Sequence, residues 1–122
     1  MTGLSSYGEG QILGVLTTNA FVSLHTADPG NTGASEISGG GYARQGPTTF
    51  ANAGNNPTVA SNSAIVTYPT ATANWGTITH FSVWDALTAG NYRGSGALQT
   101  PKAVNNGDTA RFLAGVLTIT AQ

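Results

Sequence analysis

Apolar and polar positions alternate in short segments along most of the chain. In Ala20–Thr26, Val22 and Leu24 alternate with polar or aromatic residues, which is the period of two expected of a half-buried strand. The strongest such segment, Gly76–Ala86, predicts a longer strand. One side of this strand is predicted to carry Thr79, Phe81 and Val83. The other side is predicted to carry Ile78, His80, Ser82 and Trp84.

Glycine, proline and asparagine separate or interrupt the other strand-like segments. Tyr42–Phe50 is interrupted at Gly46-Pro47, which predicts an edge or bulged strand because proline cannot donate to a ladder. Asn106-Gly107 predicts a tight hairpin turn, Gly115 a bulge or bend, and Ala51–Asn62 a polar loop. The remaining predicted strands are Ser63–Tyr68, Asn91–Leu98, Lys102–Val104 and Thr109–Thr120.

One segment, near residues 5–17, has the spacing of an amphipathic helix. Ser5 or Ser6 can cap it, with Glu9 completing a capping box. Its apolar stripe is Ile12, Leu13 and Leu16. Because short strands joined by many turns are typical of antiparallel sandwiches, the sequence predicts one mainly β domain over residues 1–122. We expect an antiparallel, jelly-roll-like β-sandwich with one short N-terminal helix and strands from 20 to 120.

The chain carries few charges. Charged residues make up 7% of it and the net charge is −1, against about 25% charged residues in typical domains. Without a basic patch we expect neither nucleic acid nor a membrane as a partner. Cysteine is absent, which excludes disulfides and thiolate metal sites. A weakly charged surface is poorly protected against association, so we expect a protein that is packed into an assembly.

The stretch Ser23–Arg44 contains most of the residues to which a ligand site could be assigned. Its run Gly39–Gly41 lacks the lysine and the following helix of a phosphate-binding loop, so no nucleotide or other cofactor is predicted. Asp28-Pro29-Gly30 is typical of a β-turn. Asp28, Asn31 and Glu36 could supply oxygens to a calcium ion, but they do not follow the spaced acidic pattern of a calcium loop. No metal is predicted, and calcium is the less favoured alternative.

Catalysis is not predicted either. His25 and His80 are the two histidines, and many serines accompany them, but no Gly-x-Ser-x-Gly elbow supports a catalytic triad. His80 lies in the middle of a predicted strand near Trp84, and we interpret it as a hydrogen-bonded core or interface residue. The sequence therefore indicates a non-enzymatic protein.

The same stretch has the features of a packing or contact arm. Glu36 and Arg44 are placed to close it with an ion pair, and the uncharged Gly39–Gly41 run suits close packing against a neighbouring subunit. Trp75 precedes a strand in a loop, where an exposed aromatic ring would suit recognition of a glycan. The predicted contact residues are Asp28, Gly30, Glu36, Gly39, Gly40, Gly41, Arg44 and Trp75.

Two blocks of the sequence, Phe21–Gln45 and Asn74–Thr120, resemble a family of small virion structural proteins of tailed bacteriophages. The most specific stretches are LHTADPG, starting at Leu24, and GGGYARQ, starting at Gly39. Members include tail-fibre-like, minor tail and head decoration types. The resemblance implies location in the virion after synthesis in the host cytoplasm, with no catalytic residues.

The resemblance also implies partners within the particle: the major capsid protein or tail proteins, together with copies of the chain itself in a homo-oligomer, for which we expect a trimer. A fibre usually needs a shaft or anchor, for which 122 residues leave little length. The favoured function is therefore a head decoration, or cement, protein that stabilises the capsid. The alternative is a tail-fibre or minor tail protein that contacts the host surface, and less favoured is a glycan-binding module.

Overall fold

A computed structural model describes residues 5, 11, 13–14, 17–53 and 58–121 of the chain, and the described part is mainly β. Within it all strand pairing is antiparallel. The strands are β1 (Ala20–His25), β2 (Gln45–Thr48), β3 (Phe50–Ala53), β4 (Thr58–Asn62), β5 (Val66–Thr67), β6 (Gly76–Trp84), β7 (Tyr92–Val104), β8 (Arg111–Phe112) and β9 (Thr118–Ala121).

The largest sheet has four strands in the order β2-β1-β6-β7. Its centre is the pairing of β1 with β6, in which Leu24 lies opposite Phe81 and His25 opposite His80. β2, which contains Pro47, lies at the edge, and its register shifts opposite β1 between Ala20 and Val22. The prediction of an edge or bulged strand at Gly46-Pro47 is confirmed, because the edge is where a residue without an N–H group is tolerated.

A three-stranded sheet, β3-β4-β9, corrects the prediction for Ala51–Asn62. This segment was predicted to be a polar loop, but most of it forms the antiparallel pair β3–β4, with Phe50 opposite Asn62. Its residues are mostly small and polar, so the sequence has little of the apolar alternation that marks a strand. The pairing with β9 at the far end of the chain supplies the order that local propensity does not.

A bulge in β7 corrects two further predictions. Ile78 pairs with Lys102, whereas His80 pairs with Ala97, so the segment 98–101 has no partner in β6. The predicted strands Asn91–Leu98 and Lys102–Val104 are therefore one bulged strand. The irregular register also changes the phase of β6: Ile78 is buried in the same core as Phe81, although strict alternation predicted that the two face opposite sides.

The prediction for the last part of the chain was correct about turns and wrong about pairing. A turn does form at Asn106-Gly107, where the Asp108 amide donates to the Asn105 carbonyl at 2.9 Å. It does not close a hairpin, because the following strand, β8, pairs with β5. The predicted strand Thr109–Thr120 is divided into β8 and β9 by a turn that contains Gly115, whose φ of 86° suits glycine.

The helix predicted near residues 5–17 falls mostly on residues outside the described part of the chain. Of the described residues in that stretch, Leu13 is fully buried in the core, and its carbonyl accepts a hydrogen bond from the Thr17 hydroxyl at 2.7 Å. The structure bounds no helix there among the residues it describes, so the helix stays a prediction. No helix in the described residues has the length and apolar character needed to cross a membrane.

The apolar side chains of all three sheets meet in one core. Buried Asn62 links the sheets where they meet: its amide donates to the Ala64 and Leu113 carbonyls at 2.8 and 3.0 Å and accepts from the Leu117 amide at 3.0 Å. The buried apolar residues are Leu13, Ala20, Val22, Leu24, Ile37, Ala60, Val66, Tyr68, Ala71, Trp75, Ile78, Phe81, Val83, Leu98, Val104, Ala110, Phe112, Leu117 and Ile119.

The four-stranded and three-stranded sheets approach each other closely at Gly96. A Cβ atom at this position would stand 2.5 Å from the Thr118 carbonyl oxygen of β9 and 2.7 Å from the Phe81 ring. Both distances are shorter than van der Waals contact, and one neighbour is backbone. Only glycine therefore allows β7 and β9 to pack as they do.

We predict that Gly96→Ala lowers the free energy of unfolding by about 2 kcal/mol, since overfilling a packed contact costs about 1–3 kcal/mol. Urea denaturation with far-UV circular dichroism measures this. Ala97→Val, on an exposed position of the same strand, is the matched control and should stay within about 0.5 kcal/mol of the unchanged protein. Equal stability of the two variants would contradict the packing described at Gly96.

Candidate functional site

The segment 26–44 folds over one face of the four-stranded sheet. Its first part doubles back beside β1: the Thr26 amide donates to the Ser35 carbonyl within the loop at 3.3 Å, and the Ile37 amide donates to the Leu24 carbonyl of β1 at 3.1 Å. An antiparallel sheet commonly leaves one face in water. Here the loop buries that face as well, so β1 and the end of β6 are covered on both sides.

Beneath the loop lies a buried polar layer made of Ser23, His25, Ser82 and Trp84. The Nδ1 atom of His25 is 2.7 Å from the Ala34 carbonyl oxygen of the loop. Because a carbonyl only accepts, Nδ1 carries the hydrogen in the neutral ring and Nε2 is left as an acceptor. The Ser82 hydroxyl lies 2.7 Å from Nε2 and is positioned to donate to it.

The rest of the polar layer satisfies the two serines. Trp84 Nε1 donates to the hydroxyl oxygens of Ser82 and Ser23 at 2.8 and 3.0 Å. The two hydroxyls also bond to each other. Ser23, His25 and Ser82 are all fully buried, and among the described residues no buried side-chain nitrogen or oxygen lacks a partner. All hydrogen bonds of the layer form only when the His25 ring is neutral. A proton on Nε2 would remove the acceptor to which the Ser82 hydroxyl donates.

Arg44 joins the end of the loop to the sheet. Its guanidinium binds the Glu36 carboxylate through two hydrogen bonds, Nε to Oε2 and Nη2 to Oε1, each 2.9 Å long. Its Nη1 donates to the Ala86 and Ala89 carbonyls at 3.1 and 2.8 Å. The same group lies 3.9 Å above the centre of the Trp84 ring. The predicted Glu36–Arg44 ion pair is confirmed, and it is 8% exposed on the arginine side.

The first half of the loop packs on the same tryptophan. A Cβ atom at Gly33 would stand 2.6 Å from the Trp84 ring, so the ring lies directly against the loop backbone. The Tyr92 hydroxyl, on the neighbouring strand, donates to the Gly30 carbonyl at 3.0 Å, and its ring contacts Trp84 at a centroid distance of 5.4 Å. The Asp28 carboxylate accepts from the Gly30 amide at 2.9 Å, which is the turn predicted from Asp28-Pro29-Gly30.

The glycine run packs against the chain itself at one position. Trp75 Nε1 donates to the Gly40 carbonyl at 2.8 Å, and a Cβ atom at Gly40 would stand 2.9 Å from that nitrogen. Trp75 is only 7% exposed and packs edge-on against Tyr42 and Tyr68. Trp75 is therefore not an exposed platform for sugars, which was the less favoured interpretation of the aromatic residues, and it fills the core instead. Its indole finds both apolar neighbours and a carbonyl acceptor in the interior.

The predicted contact residues thus divide into two groups. Asp28, Gly30, Gly39 and Gly41 are exposed at the loop surface. The others are turned inward or half-buried, where they attach the loop to the sheet: Glu36, Gly40, Arg44 and Trp75. Whether the exposed group contacts a partner stays a prediction.

Burial and hydrogen bonding shift three titrating groups of this region. Burial lowers the pKa of His25 below its usual 6.5, with the Ala34 carbonyl and Glu36 opposing and the Arg44 charge adding to the shift. Burial raises the pKa of Glu36, but the hydrogen bonds from Arg44 and Tyr42 and the Arg44 charge outweigh it, so the pKa lies below its usual value. Burial raises the pKa of the Tyr42 hydroxyl far above its usual value. All three groups keep the charge state that closes the loop at neutral pH.

The hydrogen bonds and the ion pair of this region stabilise the attachment of the loop to the sheet. The Ser82–His25 contact has the distance of a nucleophile and its base, but both side chains are fully buried, so a substrate has no route to them. The Glu36 carboxylate is occupied by Arg44 and Tyr42. Within the described residues no three histidine, aspartate or glutamate side chains lie together as metal ligands would.

The sequence analysis did not predict the polar layer or the role of Tyr92. A signal for the polar layer was present in the sequence: Ser82 and Trp84 share one side of their predicted strand, and Ser23 and His25 share one side of β1. Such a polar side is normally taken as solvated. Only the loop folding over it makes it an interior layer.

The comparison with known proteins agrees with a structural role. Residues 8–120 match the family model described as Podophage GP4 fiber I protein gp80. The chain belongs to this phage fibre family. It is therefore a structural protein of a tailed-phage virion, and its associates are other virion proteins. No curated protein matches the chain.

We predict that Gly39→Ala and Gly40→Ala differ in stability although both positions have positive φ, 76° and 61°. The left-handed backbone costs each variant about 1 kcal/mol. Only Gly40→Ala also drives a methyl group into Trp75, which adds about 1–3 kcal/mol, because nothing lies within 4 Å of the Cβ position at Gly39. Urea denaturation of the pair, followed by tryptophan fluorescence, measures the difference. Coincident midpoints would show that the loop does not pack on Trp75.

We predict that the protein loses stability between about pH 7.5 and about pH 5 because of His25. The folded pKa is below 6.5, so the unfolded chain binds the proton first as the pH falls through 6.5, and folding becomes less favourable. The depressed pKa of Glu36 acts separately: its contribution is present above about pH 4.5 and is lost at more acidic pH.

Urea denaturation of His25→Gln at the two pH values tests this assignment. The variant should be less stable at neutral pH but nearly insensitive to the change. His80→Gln is the matched control, because its side chain bonds to Thr79 on its own strand and its charge only adds to the burial that lowers the pKa of His25; it should keep most of the pH dependence. A His25→Gln protein with an unchanged pH dependence would refute the assignment.

Proposed function

We propose that the chain is a tail-fibre or minor tail subunit that contacts the host surface. The observation that supports this best is the family match, which covers residues 8–120 and whose description names a fibre. The sequence alone favours head decoration. The family match favours the fibre alternative, because the family's description names a fibre protein.

The loop geometry supports a contact function through pre-organisation. Arg44 and the polar layer hold the loop, so its exposed residues Asp28, Gly30, Gly39 and Gly41 are presented on an ordered surface. Ordering a loop before binding removes part of the entropy cost of association. We propose that these four residues form the contact surface and that Glu36, Gly40, Arg44 and Trp75 position it.

The assembly we propose is a homo-oligomer, a trimer by preference, attached to other tail proteins. Closed symmetry is the general rule for oligomers of one chain, and the weakly charged surface favours association. Within each subunit, we propose that the three sheets form a jelly-roll-like sandwich, for which the shared core and the β7–β9 contact are the support. The role is non-enzymatic.

We predict that gold-labelled antibodies against the protein bind the tail region of purified virions in electron micrographs. The purified protein, added in excess to host cells, should compete with virions and slow their adsorption. Label spread over the head would contradict the proposal and favour decoration. If the label lies on the tail but the protein does not slow adsorption, the chain is a tail component and host contact is not its function.

A further inference from the structure

A groove separates the bulge of β7 from β8 and the turn that follows it. Its volume is about 440 Å³, in the range of sites that bind small ligands or a few residues of a peptide. It lies apart from the 26–44 loop, since no residue of that loop lines it. The lining residues are Leu98, Gln99, Thr100, Pro101, Lys102, Arg111, Phe112, Leu113 and Val116. We call it the β7–β8 groove.

The backbone beside the groove is open for pairing. β7 is the last strand of its sheet, and its residues 98–101 are skipped in the register with β6. β8 pairs with β5 on one side among the described strands, but the Phe112 and Leu113 carbonyls already accept from the Asn62 side chain at 3.3 and 3.0 Å, so β7 supplies most of the open backbone. Unpaired N–H and C=O groups along a strand edge are a template for another extended chain. The groove is therefore flanked by backbone that can bind a polypeptide main chain.

The groove carries concentrated positive charge in a weakly charged protein. Lys102 and Arg111 both line it, and neither side chain forms a hydrogen bond or ion pair with a described residue. Lys102 Nζ lies 5.9 Å from the centre of the Phe112 ring. None of the described lining residues is acidic. An anionic occupant would pair with these two cations at little cost in rearrangement.

The apolar surface of the groove is aliphatic. Leu113 and Val116 are 64% and 41% exposed, whereas the Phe112 ring is 3% exposed. Sugars are generally held by exposed aromatic faces, and the groove offers none in its described lining. Exposed aliphatic side chains instead suit the apolar side chains of a peptide. The open edges favour a peptide as well, because a sugar has no backbone with which to pair them.

We propose that the β7–β8 groove binds an extended, acidic segment of another polypeptide. The segment pairs its main chain with the open edge, places a carboxylate near Lys102 and Arg111, and lays an apolar side chain on Leu113 and Val116. The proposal does not depend on where in the virion the protein lies, and it concerns a surface separate from the proposed host-contact loop.

The probe is a synthetic seven-residue peptide in which valines alternate with two glutamates and a threonine, titrated into ¹⁵N-labelled protein. We expect saturable shifts of the amide signals of residues 98–102 and 111–116. Replacing both glutamates by glutamine should weaken binding about fivefold, since two exposed charge contacts are lost. The shifts should also decrease as salt is raised from about 50 to about 500 mM.

The double variant Lys102→Gln/Arg111→Gln should weaken binding of the acidic peptide by the same factor while keeping a dispersed, folded spectrum. Arg93→Gln, at the other end of β7, is the matched control and should bind like the unchanged protein. Valine-to-serine replacement in the peptide should also weaken binding, because the contact with Leu113 and Val116 is removed.

Four results would overturn the proposal. Equal binding of the glutamate and glutamine peptides, or no saturable shift at millimolar concentration, would remove the acidic segment as occupant. Shifts produced by a glucuronate oligosaccharide but not by the peptide would assign the groove to acidic sugars. Concentration-dependent shifts of the groove without peptide, with dimers in sedimentation, would assign it to a second copy of the chain.

Discussion

The attachment of the 26–44 loop to the four-stranded sheet depends on the contacts of the buried Arg44 guanidinium. The guanidinium joins Glu36 in the loop, the Ala86 and Ala89 carbonyls after β6, and the Trp84 ring of the sheet. A buried charge is costly unless all of its hydrogens are matched. Removing any one partner therefore affects the whole attachment, and the loop closes over the sheet as a unit.

This attachment explains why a polar layer lies inside a small β protein. The Ser23, His25 and Ser82 side chains would be exposed on an ordinary antiparallel sheet, but the loop covers them and Ala34 supplies the acceptor that selects the His25 tautomer. Fully satisfied polar groups in an interior fix one geometry, because partly satisfied alternatives are costly. The loop is consequently held by these hydrogen bonds, in a chain that has no cysteine to form disulfides.

The loop surface and the β7–β8 groove differ in charge and in construction. The loop presents Asp28 and glycine backbone, whereas the groove presents Lys102 and Arg111 beside open strand edges. A chain with so few charges gains specificity when they are concentrated, since charge complementarity discriminates between partners more than it adds affinity. We propose that these two unlike surfaces serve different neighbours in the virion.

The sequence by itself determined the β class, the strands β1 and β6, the edge position of Gly46-Pro47 and the Glu36–Arg44 pair. Each has a local signal: alternation, a proline without an N–H group, or two opposite charges near in sequence. Only the tertiary structure decided the β3–β4 pair, the pairing of β8 with β5, the bulge at 98–101 and the burial of Trp75. These depend on contacts between residues far apart in the chain. Whether a short polar segment forms a strand, or an indole is buried, depends on which surface the rest of the fold packs against it.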